Sequence, residues 1–175
     1  MENTGAAADL TAPPPAEVPF EQLDRQVITY WRIHHLIATV ILLGLLGFVS
    51  LGFAVALPEV RLLLLVAFLA LAALRIFLFF WLPPKRYAAW SYRLTDQVFE
   101  TRFGVFSKMS QMVPLSRLQH VDLQTGFIEN HLGIASLVLF TAGTTHSVII
   151  IPGLKKETAA ALRDKLVLVE GDDGV

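Results

Sequence analysis

The 175-residue chain has no cysteine, which excludes a disulfide framework, thiol catalysis and metal sites built on thiolates. Charge is scarce too. Only 17% of residues are Asp, Glu, Lys or Arg and the formal net charge is −1, where a soluble domain carries about 25% charged residues. A strongly basic nucleic-acid binder is therefore not expected. The sequence holds no phosphate-loop G-x-x-x-x-G-K-[ST], no H-E-x-x-H, no G-x-S-x-G and no dinucleotide fingerprint. No repeat of solenoid period is found either. On these grounds the chain is read as a non-enzyme, with no catalytic residue, no metal ligand set and no cofactor assigned.

What is abundant is apolar surface, 54% of residues at a mean hydropathy of +0.58. Leu36 to Leu57 carries no charged residue, and Leu62 to Leu82 carries only Arg75. About 20 apolar residues at ~1.5 Å rise span the ~30 Å hydrocarbon layer, so segments 36–57 and 62–82 are predicted transmembrane helices 1 and 2. Pro58-Glu59-Val60-Arg61 between them allows only a tight turn, which makes the pair a hairpin with both ends on one side. The first run is too long and begins too late for a cleaved signal peptide; it is expected to be a retained anchor. Arg25, Arg32, Lys85, Arg86 and Arg93 flank the shared side against Arg61 in the turn. The positive-inside rule then puts both termini in the cytoplasm, as a multi-pass protein. Tyr30, Trp31, Trp81, Tyr87 and Trp90 fall where amphipathic rings favour the headgroup level.

A charge near the middle of a helix costs ~2.5–3.5 kcal/mol on insertion scales, and Arg75 is the one such conflict. It lies about 10 Å of helix before Leu82 at ~1.5 Å per residue, within snorkelling reach of headgroup phosphates; an intramembrane partner is the other reading. In a hairpin symmetric about its turn, Arg75 faces Gly44 and Ala72 faces Gly47, small residues that let helices approach closely. His34 and His35, adjacent and so about 100° apart on a helix, are expected at the interface and not as a metal or proton site.

Residues 1–19 are rich in Ala and Pro with almost no large apolar residue, the composition of a disordered cytoplasmic tail. Residues 20–35 form an amphipathic segment, with Leu23, Val27 and Tyr30 at helical spacing, expected to lie along the membrane interface. Pro83-Pro84 is expected to stop the second helix. From Ala88 the period changes to alternation. Strands are predicted over 88–94, 97–103, 107–113, 118–124, 134–141 and 145–151, with hairpin turns at Thr95-Asp96 and Ala142-Gly143-Thr144 and a helical turn over 127–133. Leu154 to Val169 reads as an amphipathic helix with Ala159, Leu162, Leu166 and Val169 on one face; 170–175 is an acidic tail. Residues 83–169 thus form a small open barrel or sandwich of six antiparallel strands, closed by a C-terminal helix.

These residues carry a family resemblance. Two apolar helices with a minimal turn precede Tyr92-Arg93-Leu94-Thr95-Asp96, Arg102-Phe103-Gly104-Val105-Phe106, Val113-Pro114-Leu115-Ser116-Arg117-Leu118-Gln119-His120-Val121, Leu132-Gly133 and Phe140-Thr141-Ala142-Gly143. In that order and spacing they resemble the bacterial membrane-flanked domain, the YdbS-like branch of bacterial pleckstrin-homology-like domains, over Trp31 to Val169. The resemblance implies an α+β membrane protein: a two-helix transmembrane hairpin followed by a small pleckstrin-homology-like antiparallel β-barrel with a C-terminal capping helix. It implies no catalytic activity. Members of this family often accompany a larger relative with repeated copies of the domain, which implies a membrane-protein partner of the same fold. Each block also has a plain structural use: Gly104, Gly143 and Gly133 suit turns or a helix cap, and Pro114 ends a strand.

His120, His131 and His146 sit in different elements without zinc spacing, Asp96 and Asp122 are isolated, and Ser147 beside His146 faces the opposite side of a strand. The remaining signal is charge, with ten Lys/Arg against six Asp/Glu between Pro83 and Val169. Near anionic lipid each well-placed Lys/Arg contributes ~1 kcal/mol. Pleckstrin-homology domains that read phosphoinositides place basic residues in their first hairpin, where this chain has Arg93 and Arg102 with Asp96 and Glu100 between them. The lipid-headgroup candidates are therefore Arg75, Lys85, Arg86, Arg93 and Arg102; the hairpin-packing candidates are Gly44, Gly47 and Ala72. The leading expectation is a cytoplasm-facing interaction module, an adaptor or subunit of an envelope complex in a bacterial inner membrane. Anionic-lipid headgroup sensing or handling is the alternative.

Overall fold

The computed structural model describes residues 18–142 and 148–172. Expectations for residues 1–17, for 143–147, including the start of the strand predicted over 145–151, and for 173–175 lie outside that range. Two helices come first, α1 (Gln26–Ala56) and α2 (Arg61–Ala89), joined by a 3-10 turn over Pro58–Val60. Both are long and apolar enough to cross a membrane. At ~1.5 Å per residue α1 is about 46 Å long, well beyond a ~30 Å hydrocarbon layer, so one end must project. Because the apolar run of α1 starts at Leu36, its N-terminal turns are the projecting part.

Those turns do not lie along an interface as the sequence suggests. Leu23, Val27 and Trp31 are buried in the same core as the strands. The amphipathic spacing was real, but its apolar face is covered by protein, which takes far more area from water than a glancing contact with headgroups. Trp90 is likewise buried, stacked on Phe103 with ring centroids 5.0 Å apart. Two of the rings expected at headgroup level, Trp31 and Trp90, are thus core residues.

Helix α2 also departs from expectation, running through Pro83 and Pro84 to Ala89. An interior proline costs about 3 kcal/mol in a free helix. Here packing offsets it, since Pro83 is buried and one turn on Arg86 places its guanidinium 4.3 Å from the centroid of the Trp31 ring on α1. The symmetric hairpin register is not found. The ring of Phe68, one turn before Ala72, approaches to 3.5 Å of where a Gly47 β-carbon would stand, and nothing lies within 4 Å at Gly44. The bulk of Phe68 fills the notch at Gly47, and Gly44 is no close-approach position.

Six strands follow, β1 (Ser91–Leu94), β2 (Val98–Phe103), β3 (Met109–Pro114), β4 (Leu118–Gln124), β5 (Ile134–Thr141) and β6 (Val148–Lys155), with a short helix α3 (Phe127–Leu132) before β5 and α4 (Lys156–Asp172) at the end. The first strand is shorter than its alternating pattern because α2 takes Ala88 and Ala89. The last helix starts two residues late because β6 continues through Pro152 and Gly153. The strands make two three-stranded antiparallel sheets, β1-β2-β3 and β4-β5-β6, so the pleckstrin-homology-like architecture is open, not a closed barrel, among the described residues. Tyr92, Phe99 and Val113 of the first sheet face Leu137, Leu139, Ile149 and Ile151 of the second across one core, and α4 adds Ala159, Leu162 and Leu166. These three are spaced 3 and 4 apart, as one helical face requires.

The core therefore begins at Leu23 and not at Pro83. Glu21 pairs with Tyr92 through both backbone hydrogen bonds, 2.7 and 2.9 Å, extending the first sheet beyond β1. The Asp24 N–H donates to the Gly153 carbonyl at 2.9 Å. Gly153, at φ +67° in the irregular stretch between the Ala135 and Leu137 pairings, leaves no room for a side chain beside Val27. A residue with positive φ and a bulge is the means by which β6 can approach α1 so closely.

Candidate functional site

The β1–β2 hairpin does bring Arg93 and Arg102 together, because both point from the outer face of the sheet. Register pairs Arg93 with Glu100, and Arg102 with Ser91 and Ser110. Side chains two apart on a strand share a face, so Glu100 falls between the two arginines. Arg93 donates from Nε and Nη2 to Glu100 Oε2 at 2.8 and 2.7 Å; Arg102 Nε and Ser110 Oγ donate to Oε1 at 2.9 and 3.1 Å. The Phe20 ring lies against both guanidinium groups, its centroid 4.5 Å from Arg93 Cζ and 4.0 Å from Arg102 Cζ.

The cluster closes around Glu100. Glu100 is only 2% exposed on an outward face, because its partners and Phe20 cover it. Burial pushes its carboxyl pKa up, but the hydrogen bonds from Arg102, Arg93 and Ser110 and the Arg102 charge outweigh that and hold it below its ordinary value. Arg93 meets this carboxylate through Nε and Nη2 and Arg102 through Nε alone, with the Arg102 side chain 51% exposed. The two arginines of the first hairpin are thus paired with one buried carboxylate.

The other candidates are strung along α2. Arg75 is half-buried and Lys85 exposed. Arg86 has one guanidinium face on Trp31 and lines a cavity of about 470 Å³ where α2 meets the sheets. Leu82 of α2, Trp90 just after it, Phe103 and Phe106 at the β2–β3 turn, Gln111 of β3, and Val148 and Ile150 of β6 are among the other lining residues. Phe106 is 85% exposed, yet its ring centroid lies 6.0 Å from that of Trp81, which in turn stacks on Phe77 at 6.0 Å. The five basic residues thus occupy four environments and do not form one site.

Sequence reasoning missed Phe20, Glu21 and Phe106. Phe20 and Glu21 fall at the start of the predicted amphipathic segment, where nothing local shows that Glu21 pairs with Tyr92 some seventy residues on. Phe106 did carry a signal, a large aromatic residue in a glycine turn where exposure is costly. Glu21 also accepts a hydrogen bond from the buried Tyr92 hydroxyl at 2.8 Å, and the Tyr92 pKa is raised by burial, then by that bond and the Glu21 charge.

Among the described residues the histidines do not converge. His120 Nε2 lies 2.6 Å from Asp122 Oδ1 in an exposed pair, and His131 is exposed. His34 Nδ1 bonds the Tyr30 carbonyl at 3.1 Å within α1 and His35 Nδ1 contacts Thr39 Oγ1 at 3.3 Å. Among the described residues no three His, Asp or Glu are grouped to hold a metal ion. Glu129, the other buried carboxylate, accepts from the Gly126 N–H and Ser136 Oγ, both at 2.7 Å, and so fixes the start of α3.

Comparison with known proteins agrees with this architecture. The chain is 34% identical over 97 residues to the transmembrane protein YdbS of Bacillus subtilis, a match covering 54% of this chain and 59% of that protein. The chain thus spans less than two thirds of the curated relative it matches. No solved structure matches it. The family described as bacterial PH domain matches residues 35–167, from the first apolar helix to the C-terminal helix, well over half of the sequence. With two membrane-length helices, two three-stranded sheets and a closing helix, the chain belongs to the bacterial PH domain family.

Proposed function

We propose that this protein is a non-catalytic interaction module of a bacterial inner membrane. Its pleckstrin-homology-like domain and both termini face the cytoplasm, and it serves as an adaptor or subunit of an envelope complex. The partner is a second membrane protein, with a larger relative of the same fold as the first candidate. The observation that carries this reading is the rigid mount. Val27 and Trp31, on the same helix that enters the apolar hairpin, and Leu23 just before it complete the domain core, so the domain is held at a fixed orientation to the bilayer. Fixed presentation lowers the ordering cost of docking another membrane protein. The excess of Lys/Arg on the domain side of the hairpin supports the orientation.

Purification of the full-length protein from its native membrane in mild detergent, followed by mass spectrometry of proteins and lipids, tests the reading. A second membrane protein is expected at near-equal amount. Recovery of this chain alone, from membranes in which relatives of the fold are present, overturns it.

Anionic-lipid recognition is the second reading. With Arg93 and Arg102 engaged by Glu100, the observation that favours it is Arg86, on the wall of an apolar cavity at the membrane end of the domain.

A further inference from the structure

We infer that the cavity between the end of α2, the β2–β3 turn and β6 is a seat for one glycerophospholipid of the facing leaflet, with Phe106 as its membrane-dipping lip and Arg86 as the partner of the lipid phosphate. The inference gives a site to the lipid reading above and rests on it only for the sign of the headgroup.

Position is the first argument. Phe77 and Trp81 belong to the apolar stretch that ends at Leu82, and the Phe106 ring contacts Trp81. A bilayer that covers Phe77 therefore brings its glycerol region to Phe106. The turn between β2 and β3 is bent down to that level by Gly104, at φ +110°, where a side chain would collide with the Ser107 backbone. Lys108 follows in the same turn, so an apolar tip is flanked by a cation, the arrangement of an interfacial anchor.

Chemistry is the second. Phe106 is 85%, Ile150 54% and Val148 45% exposed, three large apolar side chains side by side and continuous with Leu82 on the membrane span. Apolar area so placed is covered by acyl chain without any rearrangement. Arg86 is the one cation on the wall. Only a face of its guanidinium is engaged, by Trp31, and among the described residues it makes no side-chain hydrogen bond. Its N–H groups are suited to a phosphate diester. Mostly apolar walls with one cation, Arg86, and one neutral polar side chain, Gln111, match a glycerophospholipid better than a soluble anion.

The absence of cysteine makes the test direct. Single-cysteine variants F106C, I150C and D96C of the full-length chain, labelled with an environment-sensitive fluorophore, are reconstituted alone at low density in phosphatidylglycerol/phosphatidylethanolamine vesicles. Asp96 serves as the reference because its turn is at the end of the β1–β2 hairpin away from α2. Acyl-chain nitroxide lipids are expected to quench the labels at 106 and 150 at least about threefold more than the label at 96, as for side chains lodged at the acyl boundary. Equal quenching at the three positions overturns the inference, as does a 106–106 disulfide that forms equally in detergent, which would put a second copy in the seat.

A diazirine-bearing phospholipid then reports occupancy of the wild-type chain. Adducts are expected in the segments 103–106 and 148–150 and are expected to fall about tenfold in F106D, where a carboxylate is forced among acyl chains, while F106L retains them. Adducts confined to α1 and α2 overturn the seat. Equal labelling by phosphatidylcholine and phosphatidylglycerol probes keeps the seat and removes the anionic-headgroup reading, so the two fail separately.

Discussion

Gly153 and Val27 stand so close that a β-carbon on the glycine would overlap the valine side chain, and Gly153 holds φ +67°. Strand β6 and the projecting turns of α1 meet there, joined also by the bond from the Asp24 N–H to the Gly153 carbonyl. The contact couples the membrane hairpin to the domain.

G153A should therefore destabilise strongly. Left-handed backbone costs about 1–2 kcal/mol for a residue with a β-carbon, and overpacking adds about 1–3 kcal/mol. In thermal unfolding of the detergent-solubilised full-length protein, V27G is expected to remove the overpacking part, because it takes away both close atoms and leaves only the Cα of residue 27 at 3.5 Å. The cost of G153A in a V27G background should then be smaller than in wild type, a coupling that independent sites would not show.

Glu100 governs the acid limb of stability. Its folded pKa is depressed, so its contribution is fully present above the unfolded value of about 4.3 and is lost as pH falls through the folded pKa. E100Q should remove this acid sensitivity and cost about 2 kcal/mol at neutral pH. That is below the ~3–5 kcal/mol for breaking a fully buried pair, because the Arg102 side chain is 51% exposed and screened. Unfolding midpoints of wild type and E100Q between pH 3 and 7 check both statements.

Tyr92 acts at the other end. Its pKa is raised in the folded protein, so the stability linked to it is present below the unfolded pKa of about 10 and is lost as pH rises through the folded value. Y92F should cost about 1 kcal/mol at pH 7 through the lost bond to Glu21 and flatten the decline above pH 10. An unchanged alkaline limb in Y92F would count against the Glu21–Tyr92 tie.

The hairpin, the alternation of the strands and the buried stripe of α4 were legible because each is a local period. Long runs without charge, side chains two apart and side chains three or four apart need no knowledge of the partner. The misplaced elements are those whose partner is distant. Leu23 and Val27 show a sound amphipathic spacing, yet nothing local says that β6 and not the bilayer covers it. Pro83-Pro84 reads as a stop because the compensating packing of Pro83 and the stacking of Arg86 on Trp31 come from another helix. Arg93 and Arg102 read as headgroup candidates on charge, with Asp96 and Glu100 between them already a poor cage for phosphate; what sequence does not give is that Glu100 is buried and bonded to both.

Thr101 tests the core from inside. It is 1% exposed on the inner face of β2, and its hydroxyl has no hydrogen-bond partner. A buried hydroxyl without a partner costs about 1–3 kcal/mol, and valine has nearly its shape without the oxygen. T101V should accordingly raise stability by about 1 kcal/mol, read as a higher unfolding midpoint with unchanged pH dependence, since neither Glu100 nor Tyr92 bonds that hydroxyl. T101S, which keeps the oxygen and removes the methyl group, should instead destabilise. A lower midpoint for T101V would mean that the hydroxyl is satisfied within the core and that its oxygen contributes to stability.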